Sequence, residues 1–310
     1  MNIISTVRLK DEMINRLPES VTYSFNKMKE LSSEEKMGAE ILITYGSDIT
    51  VEESANFPNV KWLHVMSAGV DEIPKALFEQ AIVTNSSGIH KIPMTEFAIG
   101  LILQYYKQLP SLKEAEKNNE WIKYSRSEEL YGKEAHILGT GNIGSHLAKT
   151  LQVFGVQTHG YNTNGRSIEG FDKTHKIDDL NEAVVSADIL VNVLPSTEKT
   201  TGLLKVDTFK AMKDDGMFIN IGRGTVMTDE TLLEILRERY IAHVSSDVFN
   251  EEPLSEDSPL YGFDNLTITP HCSAKTDMYL YRAFDIFLDN LARFNKDAAL
   301  VNVVEFDKGY

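Results

Sequence analysis

Gly139, Gly141 and Gly144 stand in the run G-T-G-N-I-G, directly after the apolar stretch AHIL and directly before the amphipathic stretch SHLAKTLQVFG. A glycine triplet alone says little, but between a strand and a helix each glycine has its own task. Gly139 permits a tight turn, Gly141 lets the backbone approach a pyrophosphate, and Gly144 lets the helix pack closely on the strand. Asn142 and Ile143 complete the loop. The helix they open offers unpaired N–H groups and a positive dipole end to phosphate, so a dinucleotide is the expected ligand. About 20 residues on, where a carboxylate would hold the adenosine ribose, the chain carries Asn162. A 2′-phosphate meets no repulsion there, and Thr163, Asn164 and Arg166 can donate hydrogen bonds or charge to it. The residues favour NADP(H), with NAD(H) as the alternative.

Three further segments at strand ends carry residue types suited to acid–base and anion chemistry: INIGRG with Arg223, DVFNEEP with Glu252 and TPHCSA with His271. Singly, each has an ordinary structural explanation. Their order and spacing, taken with GTGNIG, resemble the D-isomer-specific 2-hydroxyacid dehydrogenases, in their glyoxylate/hydroxypyruvate reductase-like branch, over essentially the whole chain. SAGVDEIP from Ser67 and NSSGIHKIPMTEFAIG from Asn85 are similar to that family's substrate-loop and hinge segments.

The resemblance implies reversible reduction of a small 2-oxo acid to a D-2-hydroxy acid. That reaction needs a hydride at the carbonyl carbon and a proton at its oxygen, and His271 best suits the proton transfer. Glu252, bonded to the far ring nitrogen, would orient the imidazole and favour its protonated form. Arg223 would grip the substrate carboxylate and polarise the carbonyl with its planar fork. The family's pattern selects Glu252, immediately before Pro253, over Glu251. By the same resemblance Asp247 faces the nicotinamide amide, Leu194 and Pro195 line the cofactor side, and Ile221 and Gly222 lead past the cofactor into Arg223. Ser67, Ala68, Gly69 and Val70 would form a nest of backbone N–H groups for the substrate carboxylate, with Tyr45 and Gly46 nearby. Cys272 reads as buried and unreactive, and no metal is expected. Two other readings share these motifs. A 3-phosphoglycerate dehydrogenase should show a basic cluster for the substrate phosphate, and the first ninety residues offer none. A nucleotide-sensing corepressor should carry low-complexity tails, which this chain lacks.

Residues of these kinds need strand ends to hold them. Short β-rich runs recur at Asn2, Val21, Ile41, Lys61 and Ala81, separated by helix-compatible stretches, which predicts βαβ units and a parallel sheet. A second series, AHILGT, QTHGYN, DILVNVLP, MFINIGRG, AHVSSDVF and NLTITPH, supplies six strand candidates. Beyond it Leu280, Ala283, Phe284, Phe287, Leu288, Leu291 and Phe294 repeat at helical spacing. This closing helix is expected to return to the first domain. The predicted fold is α/β with two domains: a Rossmann doubly wound parallel sheet at about 98–279, inserted into a flavodoxin-like substrate domain of about 1–97 and 280–310, with the active site in the cleft.

The 310 residues carry 31 Lys+Arg against 46 Asp+Glu, a net charge of -15 that repels nucleic acid and anionic lipid surfaces. A single cysteine excludes an intrachain disulfide and a multi-cysteine metal site and fits the cytoplasm. No signal-peptide pattern and no run approaching the ~20 apolar residues of a membrane span is present. From Glu96, EFAIGLILQYYKQLPSLKEAEKNNEW is apolar on nearly every face for its first turns and polar afterwards, as expected of a buried or shared helix. The resemblance implies a homodimer, with this helix and the segment around Trp121 as the candidate interface.

Overall fold

The structure is a computed structural model that describes residues 1–70, 72–123 and 127–306. Asp71, within the SAGVDEIP segment, lies outside the described residues. The chain divides into two compact units, Met1–Ile89 with Thr276–Tyr310, and His90–Lys275.

The first unit is built on five parallel strands: β1 (Asn2–Ser5), β2 (Thr22–Phe25), β3 (Ile41–Thr44), β4 (Trp62–Val65) and β5 (Ile82–Asn85). Their order is β2-β1-β3-β4-β5, the flavodoxin-like arrangement. The central strands ILIT and WLHV are buried at every position, because helices cover both faces of such a sheet. One covering element is the helix Tyr279–Phe294, whose Ala283, Phe284, Phe287 and Leu291 share a core with Ile3, Ile41, Ile43 and Trp62. The Trp62 ring stacks on Phe287 at 5.0 Å and 15°, and its indole N–H donates to Thr84 Oγ1 at 2.8 Å.

His64 lies fully buried beside that pair, with Nδ1 2.8 Å from Thr84 Oγ1. Burial pushes its pKa from 6.5 down to about 3, against a smaller opposing effect of a backbone hydrogen bond at Ala283. The folded state therefore keeps His64 neutral while the unfolded chain binds a proton below pH 6.5. Stability is retained above that pH and falls as pH drops toward 3, by about 1.4 kcal/mol per pH unit from this one group. Denaturant titrations from pH 7 to 4.5, read by tryptophan fluorescence, should show at least that slope, to which the buried His136 and His243 add. In His64→Gln it should flatten by about the same amount; an unchanged slope would remove His64 from the acid response.

The second unit holds seven parallel strands: β6 (Glu134–Leu138), β7 (Gln157–Asn162), β8 (Lys173–Lys176), β9 (Ile189–Asn192), β10 (Met217–Asn220), β11 (His243–Ser246) and β12 (Leu266–Ile268). They run in the order β12-β11-β10-β9-β6-β7-β8. The doubly wound plan reverses between β6 and β9, and crevices at such a switch point, outside the carboxyl ends of the strands, are where this architecture takes ligands. The sheet has one strand more than the six expected. β8, KTHK, is a half-exposed edge strand whose lysines and absence of apolar residues hide it from any hydrophobic pattern.

The apolar stretch after Glu96 also differs from expectation. Its helix already begins at Lys91 and ends at Tyr106, and a second helix, Leu109–Lys117, follows a break at Gln108, whose φ is 56°. Pro110 sits at the start of that second helix, where its missing N–H costs nothing. The first helix buries Pro93, Met94, Thr95, Ala98, Leu101, Ile102 and Tyr106, and Met94, Ala98, Leu101, Ile102 and Tyr106 pack with Leu147, Ala148 and Leu151 of the helix Asn142–Val153 and with Ile137 and Ile219. This packing puts the unit boundary at Ile89 rather than residue 97. The second boundary falls at Lys275 rather than 279. Among the described residues no helix is long and apolar enough to cross a membrane.

Candidate active site

In the second unit β6 runs straight into the glycine loop and the helix Asn142–Val153. Gly139 has φ +106°, a region closed to side chains by strain. A Cβ on Gly144 would lie 1.9 Å from the Gly139 carbonyl oxygen, so only glycine lets the helix seat this close to the turn. A Cβ on Gly141 would meet nothing within 4 Å, which leaves its backbone open to a ligand. No side chain caps the helix, so the first-turn N–H groups of Asn142, Ile143 and Gly144 point outward from an uncapped, electropositive terminus. These features fit a pyrophosphate.

At the end of β7 Asn162 organises the following loop. Its Oδ1 accepts from the Arg166 N–H at 3.1 Å and the Asn164 N–H at 3.3 Å, and its Nδ2 donates to the Arg166 carbonyl at 2.9 Å. Thr163, Asn164 and Arg166 are exposed, so their side chains stand free of the core. The ribose-position residue is thus spent on shaping the loop that presents Arg166.

Two buried asparagines that the sequence reading passed over tie the next strand ends together. Asn192 donates from Nδ2 to Asn220 Oδ1 at 2.9 Å, and its Oδ1 accepts from the Leu194 N–H at 3.1 Å. Asn220 Nδ2 in turn donates to the Arg223 carbonyl at 3.2 Å, and its Oδ1 accepts from the Gly222 N–H at 3.3 Å. Their signal was an asparagine closing two apolar strands, ILVN and MFIN. Ile221 and Gly222 are buried, Leu194 is half-buried, and Pro195 and Arg223 are exposed. The Arg223 guanidinium donates to the Gly222 carbonyl at 2.8 Å and pairs with no carboxylate among the described residues. A Cβ on Gly224 would fall 2.1 Å from the Phe249 carbonyl carbon, so the turn after Arg223 is pressed onto the backbone of the segment that carries Glu252.

That segment is pinned by Asn250, which donates to the Met227 carbonyl at 3.1 Å and to Asp229 Oδ1 at 2.7 Å. Glu252 then divides its oxygens: Oε1 accepts from the Phe249 N–H at 2.9 Å, and Oε2 lies 2.6 Å from His271 Nδ1. Burial raises the Glu252 carboxyl, but the bonds from His271 and Phe249 outweigh it and hold the group below the usual carboxylate range. The His271 side chain is 48 % exposed, and its Nε2 takes no partner among the described residues. Its φ of +47° is unusual for a non-glycine residue, and the His271 N–H donates to the carbonyls of Asp247 and Thr269 at 2.8 and 3.1 Å.

Asp247 is fully buried, with Oδ1 accepting from Thr269 Oγ1 at 2.6 Å and the Cys272 N–H at 2.9 Å, and Oδ2 accepting from the Ser273 N–H at 2.8 Å. Burial raises its carboxyl, yet these donors together keep it below its ordinary range. Both oxygens thus clamp the turn that carries His271. Cys272 is half-buried rather than buried, and burial first and Asp247 second push its thiol up, away from thiolate reactivity. His90 was also missed. Burial first and the Arg223 charge second lower its pKa, which places it within electrostatic reach of that arginine.

In the first unit, a cavity of about 300 Å³ is lined by Tyr45, Gly46, Ser67, Gly69, Val70, Glu72 and Ile73. Ser67 Oγ donates to the Gly69 carbonyl at 2.8 Å and Asn85 Nδ2 to the Ala68 carbonyl at 2.6 Å. Among the described residues the N–H groups of Ala68, Gly69 and Val70 have no acceptor.

A nucleotide loop at the switch point, with a carboxylate–imidazole pair and an unpaired arginine on neighbouring strand ends, defines a nucleotide-dependent oxidoreductase. The model of the D-isomer specific 2-hydroxyacid dehydrogenase NAD binding domain matches residues 99–273, and the chain belongs to this family of NAD(P)-dependent oxidoreductases. It is 31% identical over 272 residues to a glyoxylate reductase of Thermofilum pendens, covering 84% of this chain and 80% of that one. To glyoxylate/hydroxypyruvate reductase A of Photorhabdus laumondii it is 28% identical, with 84% of each covered. A D-isomer specific 2-hydroxyacid dehydrogenase family protein from Aeromonas salmonicida superposes with a TM-score of 0.82 at 30% identity and 99% coverage of both chains.

Proposed function

We propose that the protein reduces a small, unphosphorylated 2-oxo acid of the glyoxylate or hydroxypyruvate kind to the D-2-hydroxy acid, preferring NADPH. The observation that carries this reading is the 2.6 Å Glu252–His271 pair, held beside Arg223 on the same carboxyl edge of the sheet as the glycine loop. The nicotinamide, when bound, supplies the hydride for the carbonyl carbon. His271 delivers the proton to the carbonyl oxygen from Nε2, the ring atom left exposed. Glu252 fixes the ring through Nδ1 and balances the charge of the imidazolium. Arg223 holds the carboxylate and carbonyl oxygens by its two-pronged fork. Ala68, Gly69 and Val70 offer backbone N–H groups as carboxylate anchors, while Gly139 to Gly144 and the ends of β9 and β10 cradle the dinucleotide, Leu194, Pro195, Ile221 and Gly222 among them. Asp247 acts by keeping the His271 turn in place. The enzyme is cytoplasmic and works as a homodimer, for which the exposed Leu109, Leu112, Trp121 and Ile122 supply apolar surface in one stretch of chain.

The NADPH preference rests on Arg166, with Thr163 and Asn164, at a loop whose Asn162 leaves no carboxylate against a 2′-phosphate. Absorbance at 340 nm, with NADPH and NADH against glyoxylate, hydroxypyruvate, pyruvate, 2-oxobutyrate and 3-phosphohydroxypyruvate, tests the whole reading. Turnover is expected with NADPH and the short unphosphorylated acids. Arg166→Ala should lower kcat/KM with NADPH roughly 10- to 150-fold, the worth of a lost charge-assisted contact, and leave the value with NADH nearly unchanged. Clear preference for the phosphorylated acid would overturn the substrate class, and nucleotide binding without turnover would overturn the enzyme reading.

A further inference from the structure

At the opposite end of β6 from the nucleotide loop, Glu134, His136 and His159 converge on the face of the sheet that carries Tyr161 and His175. His136 on β6 stands in register with His159 on β7. Glu134 Oε2 lies 3.3 Å from His159 Nε2 and 3.9 Å from His136 Nε2, and all three ligand atoms fall within 4.8 Å of one another. Both rings are committed through Nδ1: His136 to the Tyr161 hydroxyl at 2.7 Å and His159 to His175 Nε2 at 3.0 Å. Both Nε2 atoms are thereby turned toward the carboxylate. Among the described residues His159 Nε2 is buried without a hydrogen-bond partner of good geometry, in a side chain only 6% exposed, and Glu134 Oε2 is its nearest carboxylate at 3.3 Å. A buried nitrogen in that state is costly unless something else takes its lone pair.

We propose that Glu134, His136 and His159 form a binding site for a divalent transition-metal ion, zinc above all. The donor set of two imidazoles and one carboxylate suits zinc and is too poor in oxygen for calcium or magnesium. Ligands at ~2.0–2.1 Å in a tetrahedron stand about 3.3 Å apart, a separation that Glu134 and His159 already have. Hydrogen-bonded outer nitrogens are what orient histidine ligands at metal sites, and both rings have them. The rings stack with planes 14° apart, so a shared ion requires one to turn about χ2, a broad torsion for histidine. His159 is the ring with the freer partner, because His175 sits half-buried on the edge strand β8. Entry lies through Glu134, 27% exposed, and Ser186, whose hydroxyl donates to Glu134 Oε2 at 2.6 Å and stands 3.4 Å from His136 Nε2, where it or a water completes the tetrahedron. Glu134 and Gly139 are five residues apart on an extended strand, roughly 16 Å at ~3.3 Å per residue. The ion would therefore join β6 to β7 without touching the nucleotide or the reacting atoms.

The full-length protein, stripped with a chelator, should be titrated with Co²⁺ and followed by its visible ligand-field absorption, then displaced with Zn²⁺. One equivalent with the intense bands of a four-coordinate ion is expected. Affinity should fall by about tenfold or more in both Glu134→Gln and His159→Gln, and remain in His271→Gln, which removes the most exposed competing imidazole of the catalytic edge. Circular dichroism checks the fold of each variant, and should His159→Gln fail to fold, the half-exposed Glu134→Gln decides alone. No stoichiometric binding, six-coordinate spectra, binding that survives Glu134→Gln, or binding lost in His271→Gln would each overturn the site.

Discussion

His271→Gln is expected to lower kcat for 2-oxo acid reduction by roughly 10²- to 10⁴-fold, the usual contribution of a positioned general acid, with little change in the dissociation constant of NADPH. The separation follows from geometry. The His271 side chain is 48 % exposed, with its ring bonded to Glu252 and its Nε2 without a partner among the described residues, so its loss removes one short hydrogen bond and no core packing. The turn itself is held by backbone donors to Asp247, which remain in the variant. Glu252→Gln should give a smaller loss, and the double variant should be no slower than His271→Gln, because groups acting as a unit are not additive. Stopped-flow single turnovers and fluorescence titration with NADPH check both parts. A kcat within threefold of the parent, with the nucleotide bound, would take the proton transfer away from His271.

The glycine loop was legible because its chemistry is local: a turn, a close approach and a helix start each demand glycine at a fixed offset. Gly144 shows why, since its Cβ would overlap a carbonyl oxygen five residues back. The catalytic segments were legible only as an ordered set that resembles a family. Nothing in TPHCSA foretells that His271 adopts a left-handed backbone, because its N–H is held by the Asp247 carbonyl, which the sheet brings in from a distant segment. Asn192 and Asn220 bond each other across 28 residues, and Asn250 reaches Met227 and Asp229, so these links emerge only once the strands lie side by side. The edge strand β8 escaped for the opposite reason, having no apolar residues to set a period. The helix Lys91–Tyr106 reads by its composition as buried or shared, and in this chain its buried residues pack against Asn142–Val153.

Arg223→Lys should cost about as much catalysis as removing an oxyanion donor, roughly 10²- to 10³-fold in kcat/KM, although the charge is kept. Lysine replaces a planar fork by a point charge and cannot bond two oxygens in one plane. Arg223 is exposed and its guanidinium bonds the carbonyl of its neighbour Gly222, so the substitution should change the unfolding free energy by no more than the roughly ±0.5 kcal/mol typical of surface positions. Gly224→Ala offers the contrast one residue on: its Cβ would collide with the Phe249 backbone and should destabilise the fold along with activity. Arg223→Ala, assayed with added guanidinium, separates binding from placement. Recovery of part of kcat with rising guanidinium, at unchanged NADPH affinity, is the expected result, since the remaining Gly222 and Asn220 framework still shapes the slot. If Arg223→Lys keeps kcat/KM within threefold of the parent, the forked geometry is not what holds the substrate, and a single charge suffices at this strand end.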